Sequence, residues 1–387
     1  MQPQYHQVID DLILIKSIGK GNFGEVFLTE RKGGKEYYAT KKMGRAIIER
    51  PENYKRLQYE ISLLQKLNHP NIIKFCGLKK TMNNWYLVTE YCNGGSLLDN
   101  LKKYWANFRR PFSEEIVQYL MKQIVSAIQY LHLNKIIHRD LKLDNILVNF
   151  PSEYDKNALN MMNCVVKIID FGFATQLSSG LTYTVLGTPT NMDPVILEKI
   201  NTGMNIGYNE QVDIWSLGTI CYEMLVGHKP FNGSSMDELF QKVKNGRYSL
   251  PLTLSKEVVS FINGMLQQDL SKRYTANQLL YHDFLVKNPS QFQSVNVREI
   301  GSIGPGGVIN MKSNSPQPEN NTINNNNNYN YVQLWGIFTQ PYFPVTTGQT
   351  AQIQPVMQHQ IQQQGYIIPQ QQQQQQYYVS PPPMVGW

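Results

Sequence analysis

Residues 12–42 alternate in short apolar bursts, LILIKSIG, EVFLTE and KEYYATKK, with Gly33 and Gly34 between the last two. A period of two puts successive side chains on opposite faces of a strand, and a glycine pair supplies a tight turn. This stretch therefore predicts antiparallel sheet. From about Pro51 the period changes. Leu57, Ile61, Leu64 and Leu67 recur at three- and four-residue spacing, the signature of a helix with one apolar face. NIIKFCGL and NWYLVTEY return to strand. After Gly94 and Gly95 the helical signal dominates, with Ser113 a candidate N-cap for a long periodic segment to about Leu133. NILVNF and VVKIIDF read as two short strands separated by a polar insertion at 151–163. Helical patterns resume around 211–227, 235–245, 255–267 and 275–285. A small sheet-rich half is thus followed by a larger helix-rich one, an α+β organisation, and ligands commonly sit where such halves meet.

The pattern stops at Lys287. Beyond it come an asparagine run at 324–328, a glutamine run at 370–376 and prolines at 381–383. Amide side chains bury too little apolar area to offset the entropy of ordering, so 288–387 is expected to be a disordered tail. Its aromatics (Tyr329, Tyr331, Trp335, Tyr342, Phe343, Tyr366, Tyr377 and Tyr378) give it a composition that favours self-association; a passive extension is the other reading. The expected division is an extension at 1–11, a folded domain at 12–287 split into 12–90 and 94–287, and the tail. The net charge is +7, and Arg298 and Lys312 cancel Glu299 and Glu319 in the tail, so the excess lies in the folded part. No zinc-finger spacing or basic-helix pattern accompanies it, which argues against nucleic acid as the main partner and fits a site that handles phosphates. Cys76, Cys92, Cys164 and Cys221 form no C-x-x-C pair and read as reduced thiols of an intracellular protein. With no apolar N-terminal run and no apolar stretch of about 18 residues, neither a secretory signal nor a membrane span is expected. A cytoplasmic location is expected, with a nuclear pool left open.

Candidate chemistry falls in four places. Gly19, Gly21 and Gly24 form G-K-G-N-F-G. The same string opens dinucleotide-binding folds, but there a helix follows; here Glu25, Val26, Phe27 and Leu28 read as a strand, so the turn would fold over phosphates. Lys41 lies on the third strand and can reach non-transferred phosphates, with Glu60 on the next helix to hold it. His138-Arg139-Asp140-Leu141-Lys142-Leu143-Asp144-Asn145 packs a carboxylate, a cation and an amide into one loop. Asp140 can orient a hydroxyl, Lys142 can neutralise a phosphoryl group and Asn145 can offer an oxygen to Mg2+, while His138 reads as structural. Asp170-Phe171-Gly172 ends the strand VVKII: Asp170 suits Mg2+, Phe171 packs inward and Gly172 lets the backbone turn.

Taken in order, these motifs resemble the eukaryotic-like protein kinases over roughly residues 12–286. The resemblance implies a bilobal kinase fold, a small antiparallel β-sheet lobe with one long helix plus a larger mainly helical lobe. It also implies transfer of the γ-phosphoryl group of Mg-ATP to protein substrates. By the same resemblance Val26, Ala39 and Leu147 would sandwich the adenine, Ile18 would join the nucleotide-binding residues, Thr89 would guard the back of the adenine pocket, and Glu90 and Cys92 would border the hinge. Leu64, His138 and Phe171 would stack as an internal spine. Asp213, in D-I-W-S-L-G, would brace the catalytic loop. Lys142 marks the serine/threonine class, and Thr188, in G-T-P, would touch Asp140 and Lys142; dual specificity stays open. F-G-F-A at 171–174 is similar to kinases that start autophagy and to calcium-regulated ones, although no calcium-binding loop or calmodulin-target helix follows Lys287.

One segment departs from the family. Asp193-Pro194-Val195 stands where alanine-proline-glutamate is usual, and that glutamate normally pairs with a buried arginine, here Arg273. Either Glu198, about one turn on, or Asp193 is expected to replace it. The departure keeps open an ATP-binding scaffold without transfer activity; a small-molecule phosphotransferase is the remaining rival. Arg139 beside Asp140 goes, in the family, with activation by phosphate on the following loop. Thr184 is the expected acceptor, whether from an upstream kinase or by autophosphorylation. Asp144 slightly favours basic residues near the target hydroxyl; Ser96, where a second acid would stand, does not.

Overall fold

The computed structural model describes residues 7–21, 24–177, 180–295, 303–304 and 308–311, the last two stretches by backbone alone. Strands β1 (Gln7–Ile9), β2 (Leu12–Gly21), β3 (Gly24–Arg31) and β4 (Tyr37–Gly44) lead to a one-turn helix α1 (Arg45–Ile48). Helix α2 (Pro51–Leu64) and strands β5 (Phe75–Lys80) and β6 (Asn84–Glu90) follow. The strands form one antiparallel sheet in the order β1-β2-β3-β4-β6-β5. Directly opposed residues of an antiparallel pair share a face. The registers Gly24↔Met43↔Trp85, Val26↔Lys41↔Leu87 and Leu28↔Ala39↔Thr89 therefore make three rows on one side. Met43, Trp85 and Leu87 of that side bury against Ile48, Leu57 and Ile61, which seats α2 on the sheet beside Lys41. Pro51 opens α2 at a position where its missing N–H costs nothing. The helix ends at Leu64, one turn short of Leu67, which still packs on the core.

The second lobe is mainly helical. In chain order it holds α3 (Leu97–Phe108), α4 (Glu114–Leu133), β7 (Ile136–Ile137), β8 (Ile146–Asn149), α5 (Glu153–Asn157), β9 (Val165–Ile168), β10 (Thr175–Gln176), α6 (Pro194–Thr202) and α7 (Gln211–Val226). Then come α8 (Met236–Asn245), β11 (Tyr248–Pro251), α9 (Lys256–Met265), α10 (Ala276–Leu280), α11 (Asp283–Val286), β12 (Ile303–Gly304) and β13 (Val308–Met311). Ser113 caps α4 as its sequence predicts, accepting from the Ile116 N–H at 3.4 Å. Every residue of α7 from Val212 to Leu225 is buried, so this helix is the axis on which the lobe is built. One continuous core joins Leu63 and Leu64 of α2 to α4, α7 and Phe284. The small antiparallel sheet lobe and the larger helical lobe are the bilobal α+β arrangement expected.

Three boundaries shift. The extension at 1–11 contributes a strand: β1 pairs with β2, and Ile9 buries with Leu14 and Tyr86. The helix expected at 275–285 divides because His282 leaves helical geometry and caps α11, its Nδ1 accepting from the Phe284 N–H at 3.1 Å. Beyond 287 the chain continues along α9. The Lys256 N–H donates to Gln293 O at 2.8 Å, and the Gln293 N–H to Glu257 at 2.9 Å. β13 pairs with the edge of β11, and β12 pairs with β13. The amide runs and aromatics that carry the disordered-tail expectation lie outside the described residues, and so does any self-association through them. Among the described residues no helix is long and apolar enough to cross a membrane.

Candidate active site

The catalytic loop is held from below. Asp213, on the first turn of α7, is wholly buried and accepts the backbone N–H groups of His138 and Arg139, each at 2.9 Å. His132 Nε2 lies 3.0 Å from the same carboxylate. Burial alone would raise this acid; the bond to His132 and the neighbouring His138 bring it below the usual carboxylate range. Two donors drawn to one acceptor hold Arg139 in the left-handed region, φ 70°. That bend presents Asp140.

Asp140 is the hub of a closed cluster. Its Oδ2 receives Asn145 Nδ2 at 2.9 Å and Lys142 Nζ at 2.9 Å. Its Oδ1 receives the Thr188 hydroxyl at 2.6 Å, and Thr188 also accepts from Lys142 Nζ at 2.9 Å. Thr188 can come this close because Gly187 passes the loop backbone at φ 120°, where a Cβ would stand 2.5 Å from Arg139 O. Asn145 spends its nitrogen on Asp140, donating also to its carbonyl at 2.9 Å, which turns the amide oxygen away, free for a cation. The Ile169 N–H donates to Asn145 O at 2.9 Å, so the residue before Asp170 is tied to the same loop.

Asp170 adopts φ 64°, ψ 75°, and Gly172 follows. A Cβ on Gly172 would meet Asp170 Oδ1 at 3.2 Å and Glu60 Oε2 at 3.7 Å, so the glycine lies between the two carboxyls. Glu60 enters from α2, buried. Burial pushes its carboxyl up to about 7; Lys41 pulls it down and Asp170 adds to the rise. Phe171 is fully buried and its ring meets His138 edge-on at 5.1 Å, in the same core as Leu64. His138 is structural, its Nε2 lying 3.0 Å from Ile169 O.

The residues expected to contact a nucleotide divide between the lobes. Gly19 pairs with Val26, Val26 with Lys41 and Ala39 with Thr89, and the β2–β3 pairing runs to Gly21↔Gly24. A Cβ on Gly24 would fall 1.8 Å from Lys42 O, so the turn depends on glycine there. Ile18 stays largely exposed, and the Thr89 hydroxyl rests on Ala39 O at 3.4 Å. Glu90 bonds Lys167 at 2.8 Å, which joins the end of β6 to β9. Burial pushes the Cys92 thiol up to about 12, leaving it unreactive. Leu147 lies across the division on β8, bridged to Ser96. The donor set suits magnesium, a hard cation that takes one or two protein oxygens and fills its octahedron with water and phosphate. Among the described residues no group of three His, Cys, Asp or Glu is placed to hold a metal ion.

Arg273 pairs with Asp193, both side chains wholly buried, and Glu198 is exposed. Arg273 also donates to Gln267 O at 2.8 Å and Gln211 O at 2.9 Å. Asp193 can reach it because it stands at the N-cap of α6, accepting from the Val195 N–H at 2.8 Å. Arg139 reaches the Thr184 hydroxyl and donates to Phe173 O at 2.6 Å.

Several participants were not found from sequence. Asn191, just beyond Thr188, donates to Thr219 Oγ1 at 2.7 Å and accepts from Lys229 at 2.8 Å; Lys229 in turn pairs with buried Glu223 at 2.9 Å. This clamps the 187–191 loop to α7. Tyr59, Tyr208 and His132 likewise act through space, and no local string marks them.

The model of the protein kinase domain family matches residues 12–285. Myosin light chain kinase A of Dictyostelium discoideum is 36% identical over 280 residues, 71% of this chain and 88% of that protein. The probable serine/threonine-protein kinase fhkC of the same organism is 35% identical over 278 residues, 70% of this chain and 44% of that protein. Calcium-dependent protein kinase 4 of Plasmodium falciparum is 34% identical over 276 residues, 70% of this chain and 48% of that protein. The chain thus spans less than half the length of the last two.

Proposed function

The chain belongs to the protein kinase domain family and is a serine/threonine kinase, and from that premise we propose that it transfers the γ-phosphoryl group of ATP to serine and threonine hydroxyls of protein substrates. Asp140, Lys142, Asn145 and Asp170 would stand at the reacting end and Lys41 with Glu60 at the far end of the triphosphate. The observation that carries this reading is the hydroxyl of Thr188 resting on Asp140 at 2.6 Å, with Lys142 bonded to both. A carboxylate that accepts one threonine hydroxyl has the geometry to orient another and to take its proton.

Asn145 and Asp170 would hold Mg2+, which supplies neutralisation of the phosphate charge when bound. Lys142 balances the charge that develops as the substrate oxygen attacks. Lys41, steadied by Glu60, grips the non-transferred phosphates. Asp213 holds the loop that carries Asp140. Asp144, exposed beside that loop, favours basic residues near the target. Phosphate added to Thr184 would meet Arg139 and strengthen the loop's hold. Asp193 gives Arg273 the acid that Val195 does not, which supports the transfer reading over the scaffold reading.

The test is transfer of label from ATP, with magnesium, to a generic protein substrate. Label is expected on serine and threonine and is expected to vanish in Asp170→Ala and Lys41→Met. Nucleotide binding without transfer in the unaltered chain would overturn the proposal.

A further inference from the structure

The loop that follows Asp170-Phe171-Gly172 is fastened on both sides of Ser178 and Ser179, which lie outside the described residues. On the near side β10 pairs with β7, and the Leu177 N–H donates to Lys135 O at 2.7 Å. The Gln176 N–H donates to the hydroxyl of Tyr59 at 2.7 Å. Tyr59 precedes Glu60 on α2, so this bond ties the helix that carries Glu60 to the loop. On the far side Thr182 and Tyr208 exchange two backbone hydrogen bonds of 2.9 Å. The Tyr208 side chain is buried, donates its hydroxyl to the backbone oxygen of Thr184, and lies 3.5 Å from Arg139 Nη1. The Tyr183 ring seats against Gly207, where a Cβ would come within 2.9 Å of it.

We infer that Tyr208, with Tyr59 as its counterpart, is a positioning residue that holds this loop in its working pose before any phosphate is added. The inference rests on the kinase reading and deepens it. Both fastenings use a phenol hydroxyl and a backbone group. Neither needs a phosphate. Arg139 is already engaged by Phe173 O and the Thr184 hydroxyl, so its guanidinium does not wait for an anion to be ordered. Because Tyr208 bonds the carbonyl of Thr184 and not its side chain, the latch survives replacement of the threonine side chain. Losing a partly buried hydrogen bond of this kind corresponds to a change of roughly three- to tenfold.

The experiment uses the full chain, treated with phosphatase and shown by mass spectrometry to carry no phosphate on the loop. Dephosphorylated wild type is expected to retain transfer, and Thr184→Ala to lie within about threefold of it. Tyr208→Phe is expected to lower kcat about tenfold with KM for ATP unchanged, measured on protein whose unfolding curve and folded fraction match wild type, so that loss of folded protein does not account for the fall. Tyr59→Phe, acting next to Glu60, is expected to raise KM for ATP about threefold. Amide exchange at 182–186 is expected to quicken in Tyr208→Phe and at 175–177 in Tyr59→Phe. Dephosphorylated wild type without activity that phosphorylation restores would overturn the inference. So would a Tyr208→Phe chain with wild-type kcat and exchange. If no form of the chain transfers phosphate, the kinase reading fails instead, and the exchange rates alone decide the latch.

Discussion

Asp213 and Glu60 are both carboxylic acids buried beside the active site, and their surroundings push them in opposite directions. Asp213, under the catalytic loop, gathers two backbone N–H groups and a histidine, and burial is overcome. Glu60, on the helix of the other lobe, has the charge of Lys41 to lower it, but burial and Asp170 prevail and its carboxyl rises to about 7. Burial penalises both ions alike; the number of donors aimed at each decides the outcome. A fully satisfied acid makes a fixed anchor. A carboxyl poised near neutrality responds to whatever enters beside it. The loop that carries Asp140 has the first kind of support and Glu60 beside Lys41 the second.

The contrast is broken most forcefully at the anchor. Asp213→Ala leaves the His138 and Arg139 N–H groups and His132 without their acceptor. At about 1–3 kcal/mol for each orphaned donor, the loss of stability is expected to reach roughly 5 kcal/mol. Denaturant unfolding measures it. In whatever folds, kcat is expected to fall far more than affinity for ATP, because Asp140 loses its seat while Lys41 keeps its own. A loss below about 1 kcal/mol would mean that the loop holds itself and that donor count does not matter.

A third buried acid sharpens the same point. Asp193 faces a full charge, Arg273, where Asp213 faces mainly dipoles. Asp193→Asn keeps the N-cap of α6 and removes only the charge, stranding a buried guanidinium. A loss of about 3 kcal/mol is expected in the same unfolding experiment. Wild-type stability would show that Gln211 O and Gln267 O satisfy Arg273 unaided.

These acids also mark what a sequence reveals. Asp140, Asn145, Asp170 and the glycine turn are legible because their chemistry is written in contiguous strings whose order and flanking strands exclude other readings. The choice between Asp193 and Glu198 is not. Both lie near Val195, and it is the N-cap geometry that turns Asp193 inward and leaves Glu198 in water. Tyr59, Tyr208 and Lys229 are ordinary residues of amphipathic or loop segments until the fold brings a backbone group or an acid to them. β1 escaped notice because three residues before a pair of aspartates carry too little alternation to read as strand. β12 and β13 escaped because the composition around them argues against any fixed structure.

The smallest effect belongs to Glu60, and it tests the responsive half of the contrast. Its folded pKa lies near 7 against 4.5 for an ordinary glutamate, so between those values the folded chain binds more protons than the unfolded one. Stability contributed by the protonated form is full below about 4.5 and is lost as pH rises through 7. Glu60→Gln, neutral at every pH, lacks this slope. Without nucleotide, raising the pH from 5 to 7 is therefore expected to destabilise wild type relative to Glu60→Gln by about 1–2 kcal/mol, read from paired unfolding curves. Neutralising Asp170 removes one of the two causes of the rise, so Asp170→Asn is expected to move the slope to lower pH. Parallel curves for wild type and Glu60→Gln would mean that Lys41 holds Glu60 ionised as firmly as the loop amides hold Asp213, and the two acids would then be anchors of one kind.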